Sequence, residues 1–192
     1  MVELELYIQH HFGAANEDLK IISSFFKPLE LKKGKYFLKA GAPSDRLGFL
    51  GSGLLREFLE TEGKEVTKWV CTPGQFAVDL SGFFFGTPAR WNIQALEDCE
   101  LFVVNQAEYH KIGQAVPRWA QLEKLFMAKC FATLEERVVS HLSLTAEQRF
   151  EQLMDYDRTL FTRAPLQYLA SMLGMTPETL SRLRKKASQT RS

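Results

Sequence analysis

The residues best suited to chemistry lie on a short basic helix predicted near the end of the 192-residue chain. Thr176 can cap this helix, and Pro177 fits its first turn because the missing N–H would have no partner there. Leu180 and Leu183 are spaced to face a neighbouring helix, so the polar residues between them point away from it. These outward residues are Glu178, Thr179, Ser181, Arg182 and Lys185. Their hydroxyl, carboxylate and cationic groups can bind base edges and phosphates of a nucleic acid.

A second helix is predicted immediately before this one, and the two meet at a glycine. Leu166, Leu169, Ala170 and Leu173 recur at helical spacing, and Gly174 follows where a helix commonly ends in a left-handed turn. Two short helices joined in this way form a helix-turn-helix, in which the second helix can enter the major groove of DNA. The segment is therefore predicted to be a DNA-reading module.

The charge distribution supports a polyanionic partner for this module. Residues 176–192 include five basic residues, the last of them Arg191, and one acidic residue, whereas the net charge of the whole chain is only +1. Each phosphate that a cation neutralises releases counterions, so a cationic segment on a nearly neutral body favours nucleic acid. Basic residues at a helix C-terminus can also simply complement the helix dipole in solvent. The charge, the cap and the glycine turn together favour DNA binding.

Composition and motif content argue against several other classes of protein. The sequence has no apolar run of membrane-spanning length and no signal-peptide plan, so a cytoplasmic protein with no membrane partner is expected. Cys71, Cys99 and Cys130 are far apart in the sequence and give neither a disulfide framework nor a metal or cluster motif. The four histidines lack metal-ligand spacing, and no P-loop, dinucleotide-binding glycine motif or nucleophile elbow occurs. We therefore expect neither an enzyme nor a metalloprotein.

The rest of the chain must position this module, and its sequence pattern changes along the way. Two helices are predicted at 3–12 and 16–26, the second of them capped by Asn16. From 29 to 104, short apolar stretches alternate with glycine-containing turns, which is typical of an all-β sandwich or barrel. A small helix is then predicted at 105–113.

A long helix is predicted to begin near Pro117 and to extend to about residue 142. Its apolar residues recur at intervals of three and four, and they are Trp119, Leu122, Phe126, Cys130, Leu134, Val138 and Leu142. Such a helix could lie on its own β domain or pair with a second copy as a two-stranded seam. The seam is favoured, because a helix-turn-helix usually works as a symmetric pair that enters successive major grooves about 34 Å apart. Thr145 is then expected to cap a further helix.

The order of these elements resembles the Crp/Fnr family of bacterial transcription regulators, and the resemblance covers nearly the whole chain. It is carried in family order by LKKG at 31–34, AGAPSD at 40–45, GLLR at 53–56, EGKEV at 62–66, PGQF at 73–76, ALED at 95–98 and LGMTPETLSR at 173–182. It implies an α+β fold with an N-terminal double-stranded β-helix, a cyclic-nucleotide-binding-like jelly roll, at 1–113. A long dimerisation helix at 114–142 and a small all-α helix-turn-helix domain at 143–192 follow. The family's domain is a winged helix, but a full wing is not expected because the sequence stops at Ser192.

The resemblance implies a transcription regulator that binds double-stranded DNA as a homodimer, with RNA polymerase as a further candidate partner. By position, Glu178 and Arg182 match the family's base-reading residues, since arginine can bridge guanine O6 and N7 and glutamate can accept from cytosine N4. Thr176 and Thr179 match residues that hydrogen-bond phosphate, and Lys185 would add a phosphate contact. Another base-reading arginine of the family falls on a proline here, so the preferred DNA site should differ.

The resemblance also implies that a small effector in the roll shifts the dimer helix and re-aims the recognition helices. The glycine–glutamate pair of the family's phosphate-binding segment falls on Val78 and Asp79, and the family's arginine falls on Ala89. Valine lacks the backbone freedom of glycine, and the three phenylalanines at 83–85 are expected to fill the cradle as core. Asp79 could instead pair with Arg90 without any ligand. The predicted pocket residues are Val78, Asp79, Phe83, Phe84, Ala89, Arg90 and Trp91.

Three interpretations of the roll therefore stay open: a cyclic nucleotide site, a site for another small effector in an aromatic-lined pocket, and a scaffold without ligand. A standard cyclic nucleotide site is disfavoured, and an iron–sulfur cofactor is unsupported because the sequence has no N-terminal cysteine cluster. The main alternative for the whole protein is a degenerate sensor or protein-interaction module that does not bind DNA.

Overall fold

The computed structural model describes residues 1–190, and Arg191 and Ser192 lie outside them. Two helices, α1 (Val2–Phe12) and α2 (Asn16–Ser24), come first. The strands are β1 (Lys27–Leu31), β2 (Tyr36–Leu38), β3 (Arg46–Ser52), β4 (Leu55–Thr61), β5 (Lys64–Cys71), β6 (Phe76–Ala77), β7 (Asn92–Ala95) and β8 (Cys99–Asn105), with α3 (Leu80–Phe85) between β6 and β7. They are followed by α4 (Gln106–Ala115), α5 (Trp119–Ser143), α6 (Ala146–Tyr156), α7 (Leu160–Arg163), α8 (Leu166–Met172) and α9 (Pro177–Thr190). None of these helices is long and apolar enough to cross a membrane.

The strands form two four-stranded antiparallel sheets, in the orders β1-β8-β3-β6 and β2-β7-β4-β5. The chain crosses repeatedly from one sheet to the other, which is the jelly-roll arrangement. The α+β fold with an N-terminal double-stranded β-helix, which the family resemblance implies, is confirmed.

Apolar side chains fill the space between the two sheets. The almost fully buried residues there include Phe37, Leu50, Leu55, Ile93 and Leu101. Gly53, in the turn before β4, has a φ of +90°, and a Cβ atom there would lie 2.5 Å from the carbonyl oxygen of Asp98. Both the backbone conformation and the lack of space therefore require glycine at this turn.

A second apolar cluster joins the other face of the β1-β8-β3-β6 sheet to helices α1, α2, α4 and α5. Leu47 and Phe49 of β3 supply the sheet side of this cluster. The predicted cap of α2 is wrong, because the helix begins at Asn16 itself, with Ala15 as N-cap. The Asn16 side-chain oxygen instead accepts a hydrogen bond from Gln9 Nε2 at 3.0 Å.

Helices α6 to α9 form a C-terminal helical domain around a third apolar cluster. Thr145 caps α6 in a full capping box with Gln148, as its side chain accepts from the Gln148 N–H and the Gln148 side chain accepts from the Thr145 N–H. Gly174 ends the turn after α8 with a φ of +64°, as its position in the sequence predicts. Leu180 of α9 is fully buried against α8 and its neighbours, so α8 and α9 are packed as one unit.

Candidate nucleic-acid interface and effector site

The N-terminus of α9 is held by hydroxyl groups. Thr176 Oγ1 accepts the backbone N–H of Thr179 at 3.2 Å, which is the N-cap that the sequence predicts. The Thr179 hydroxyl in turn accepts a hydrogen bond from Arg182 Nη2 at 3.2 Å. Hydrogen bonds from its own backbone N–H and from Thr176, together with the charge of Arg182, lower the pKa of Glu178. The first turn of α9 thus restrains one arginine and keeps one carboxylate ionised.

The polar face of α9 is open to solvent. Glu178, Ser181, Arg182 and Lys185 are exposed, as is Thr176, whereas Thr179 is half-buried. At 100° per residue, the four exposed residues at 178, 181, 182 and 185 fall on one side of the helix, opposite the buried Leu180. The structure therefore brings together on one surface the residues that the sequence predicts to be outward.

Two other basic residues of α9 contact their own domain. Lys186 Nζ lies 2.8 Å from Glu147 Oε1 of α6, and the Arg184 guanidinium lies 5.9 Å from the centre of the Phe161 ring of α7. Arg182 and Lys185 are consequently the basic residues on the open face of the described part of α9.

Helix α5 buries one side against its own chain and leaves an apolar stripe uncovered. Leu122 and Phe126 are buried. Exposed large apolar residues follow along the helix, namely Leu125, Phe131, Leu134, Val138, Val139 and Leu142. Phe131 is 67% exposed and Leu142 is 83% exposed, which is unusual for side chains that recur at helical spacing. The stripe is apolar surface that the single chain does not cover.

The carboxylate of Asp79, a predicted pocket residue, accepts hydrogen bonds from three backbone N–H groups. Its Oδ1 accepts the N–H of Gly82 at 3.0 Å and thereby caps α3. Its Oδ2 accepts the N–H groups of Arg90 at 2.6 Å and Trp91 at 3.3 Å. Asp79 and Arg90 are thus brought together, but the contact is made by the backbone N–H of Arg90, and its guanidinium is exposed.

Phe83 is core as expected and Phe84 packs against that core, but they lie toward α4 and Phe85 is exposed, so the expectation that all three fill the cradle is wrong. Phe83 and Phe84 pack with Tyr109 of α4 at ring-centre distances of 5.1 and 5.9 Å, and Phe85 is 80% exposed. The reason is α3, a helix that the sequence analysis did not predict: it turns the first two rings toward α4. Ala89 faces the roll interior and is buried there, and Val78 is buried in the cluster that includes Phe83.

An ion pair between a half-buried lysine and a buried glutamate at the wall of the roll was not predicted from the sequence. Lys68 Nζ lies 2.7 Å from Glu57 Oε2, and Lys68 also lies 5.1 Å from the centre of the Trp91 ring. Burial lowers the pKa of Lys68, but the charge and hydrogen bond of Glu57 outweigh this effect and the net shift is upward. Cys71 Sγ donates to Glu57 Oε1 at 3.7 Å, and burial raises the pKa of this thiol well above its ordinary value. The available signal was the charged pair Arg56 and Glu57 between the apolar residues Leu55 and Phe58 of β4.

Arg137 connects three elements and was also missed. Its guanidinium lies 4.6 Å from the centre of the Trp69 ring of β5, and its Nη2 donates to the carbonyl oxygen of Met172 in α8 at 3.2 Å. Burial lowers the pKa of Arg137 to about 10. The long helix, the roll and the C-terminal domain therefore meet at this side chain.

Comparisons with known proteins agree with this architecture. Residues 28–115 match the cyclic nucleotide-binding domain family. FixK2 from Bradyrhizobium japonicum is 19% identical with a TM-score of 0.73, covering 86% of this chain and 85% of that chain. The catabolite activator protein of Thermus thermophilus is 22% identical with a TM-score of 0.59, covering 96% and 87%. The c-di-GMP responsive global regulator CLP of Xanthomonas campestris is 14% identical with a TM-score of 0.68, covering 92% and 93%. No curated protein matches the sequence.

Residues 28–115 are therefore similar in sequence to a cyclic nucleotide-binding domain. The chain as a whole has the fold of the Crp/Fnr regulators, and the resemblance drawn from the sequence is confirmed. At identities of 14–22% these structures establish the fold, so the function has to be argued from this chain's own residues.

Proposed function

We propose that this protein is a transcription regulator that binds double-stranded DNA as a homodimer through α9. The observation that carries the proposal is the open polar face of α9, which presents Glu178, Ser181, Arg182 and Lys185 to solvent on a chain of Crp/Fnr fold. CLP, a structure of similar fold, is described as a global regulator that links signalling to virulence gene expression.

The chemistry of the face suits a major groove. Arg182 can donate two hydrogen bonds to guanine, and Glu178 can accept from cytosine. The hydrogen bond from Arg182 to Thr179 limits the rotamers of the arginine before binding, which reduces the entropy lost on contact. Lys185, on the same face, is placed to contact a phosphate.

The exposed stripe of α5 supports a homodimer. A second copy of the same stripe would cover Phe131, Leu134, Val138 and Leu142 by knobs-into-holes packing. A twofold pair also presents two recognition helices, as two half-sites of a duplex require.

The effector of this regulator is, in our proposal, not a standard cyclic nucleotide. Three backbone N–H groups already occupy Asp79, and Ala89 stands where the family's arginine would pair with a cyclic phosphate. Positive charges at the roll wall are also engaged, with Lys68 held by Glu57, Arg56 by Glu65, and Arg137 by Trp69 and Met172. A small effector of another class is the candidate that these contacts leave.

The test is DNA binding by fluorescence anisotropy, with a duplex selected by the wild-type protein from a random pool. Arg182→Ala should weaken binding by about 1–3 kcal/mol and relax selectivity at one base position. Lys185→Ala should weaken all sequences alike and reduce the salt slope by about one. Lys20→Ala, which removes the same charge from exposed α2, is the matched control and should leave both unchanged. If the wild-type protein binds no duplex in a salt-dependent way, the interaction-module alternative replaces the proposal.

A further inference from the structure

The C-terminal helical domain is fastened to the roll along an exposed sheet edge. Strand β5 is the last strand of the β2-β7-β4-β5 sheet, so the N–H groups on its outer side have no strand to pair with. Helix α8 lies beside it, and Ser171 Oγ accepts the backbone N–H of Thr67 at 2.9 Å. Leu54, in the turn before β4, and Val70 of β5 are buried in the same apolar cluster as the residues of α8.

A buried arginine lies at the centre of this contact. Arg56 is only 1% exposed, and its guanidinium carbon lies 3.5 Å from the centre of the Tyr168 ring of α8 and 4.1 Å from that of Phe58. Arg56 Nε donates to Thr67 Oγ1 at 3.0 Å, and Nη1 donates to Glu65 Oε2 at 2.6 Å. A guanidinium that is stacked between two rings and hydrogen-bonded in its own plane has one orientation, and it fixes the ring above it.

Further contacts lie on either side of this centre, at the end of α7 and at the end of α8. On the N-terminal side, Arg163 donates to both carboxylate oxygens of Glu97, from Nε at 3.0 Å and from Nη2 at 2.6 Å. At the C-terminal end, the carbonyl oxygen of Met172 accepts from Arg137 of α5. Helix α8 is thus held in the middle by the roll and at its C-terminal end by the long helix, and α7, which precedes it, is held by Glu97 of the roll.

We propose that Arg56, Thr67, Tyr168 and Ser171 form a clamp that sets the angle of the recognition helix relative to α5 and thereby the half-site spacing that the dimer accepts. Because Leu180 packs α9 onto α8, an angle fixed at α8 is transmitted to the DNA-reading face. Two such faces on a twofold axis lie at one separation, and a change of one base pair moves a half-site by about 3.4 Å and rotates it around the duplex. This inference rests on the proposed function, since spacing has a meaning only for a DNA-binding dimer.

Substitution of a clamp residue should have a different effect from substitution of a base-reading residue. Removal of Tyr168 should leave affinity for a single half-site unchanged and should weaken discrimination between spacings. Without the clamp, the C-terminal helical domain can change its angle, so the dimer can bind two half-sites at spacings that the wild-type dimer does not accept.

The experiment measures binding to duplexes that carry two selected half-sites at the preferred spacing and at one or two base pairs more or less. Tyr168→Ala should reduce the ratio of affinities between preferred and altered spacings by about tenfold, which corresponds to about 1.4 kcal/mol. Tyr168→Phe keeps the ring over Arg56, and Gln167→Ala changes an exposed neighbour on α8, so both should retain the wild-type ratio. A folded Tyr168→Ala protein with the wild-type ratio would overturn the proposal.

A second readout does not require DNA. Ser171→Ala removes one hydroxyl without opening a cavity, and amide hydrogen exchange of the Thr67 N–H should then rise several-fold, whereas exchange in β7 stays constant. Unchanged exchange at Thr67 in Ser171→Ala would show that the clamp does not hold the strand. This result can be obtained even if Tyr168→Ala does not fold. If the wild-type protein does not bind DNA at all, the proposed function and the spacing role both fail, and increased exchange then establishes the clamp as a structural contact only.

Discussion

Substitution of Leu134 by glutamate should break the proposed homodimer. Leu134 is 51% exposed in the single chain and lies within the uncovered stripe of α5. Full burial of a leucine side chain stabilises by about 1.5–3 kcal/mol, so covering the exposed half contributes about 1 kcal/mol per copy and about 2 kcal/mol per dimer. A loss of about 2 kcal/mol corresponds to a roughly thirtyfold weaker dimer. The twofold axis also brings the two introduced carboxylates near each other, which adds repulsion.

Sedimentation velocity over a range of concentrations measures this dissociation constant directly. Ala132→Glu is the matched control, because it adds the same charge at an exposed position of α5 about 160° around the helix from Leu134. Leu134→Glu should weaken the dimer at least thirtyfold and Ala132→Glu only slightly. A wild-type protein that stays monomeric at about 100 μM, or equal effects of the two substitutions, would refute the assignment of the seam to this stripe.

Three further predictions concern the roll. Asp79→Ala should lower the free energy of unfolding by about 2 kcal/mol in urea denaturation, because three backbone N–H groups lose their acceptor, and a change below about 0.5 kcal/mol would contradict the geometry. The raised pKa of Cys71 keeps the thiol protonated in the folded protein, so the contribution of this thiol to the free energy of unfolding should be constant below about pH 8.5 and should fall above it as Cys71 ionises in the unfolded chain. Cys71→Ser should flatten that alkaline decline between about pH 8.5 and 10, and equal slopes in the two proteins would show that this thiol is not responsible. Cyclic AMP at millimolar concentration should raise the melting temperature by no more than about one degree, and a larger rise would show that the roll binds a cyclic nucleotide.

Several features of the C-terminal helical domain could be predicted because their causes are local in sequence. The caps at Thr145 and Thr176 bond to N–H groups three residues away, and the left-handed turn at Gly174 depends on one residue. The outward residues of α9 followed from helical spacing and from the burial of Leu180. Asn16 shows the limit of such reasoning, since its side chain bonds instead to Gln9 of the preceding helix.

The candidate effector site could not be predicted at the same level. Alignment with the family motif predicted Asp79 and the phenylalanines that follow it as pocket residues. In the structure, α3 directs Phe83 toward α4, and the Asp79 carboxylate accepts hydrogen bonds from the backbone. The Glu57–Lys68 pair depends on a register shift between β4 and β5, a feature of strand pairing that spacing along one strand does not reveal.

The sequence by itself determined the order of the main elements, with α3 as an exception, and it determined the polar face of α9, because helix periodicity, glycine turns and caps act over a few residues. Only the tertiary structure decided which side of α5 stays uncovered, what lines the roll and how α8 is fastened to it. The stack of Arg56 on Tyr168 joins residues that are far apart in the chain, and such a contact exists only after both domains have folded. Its formation depends on packing among all the intervening elements, which no local pattern encodes.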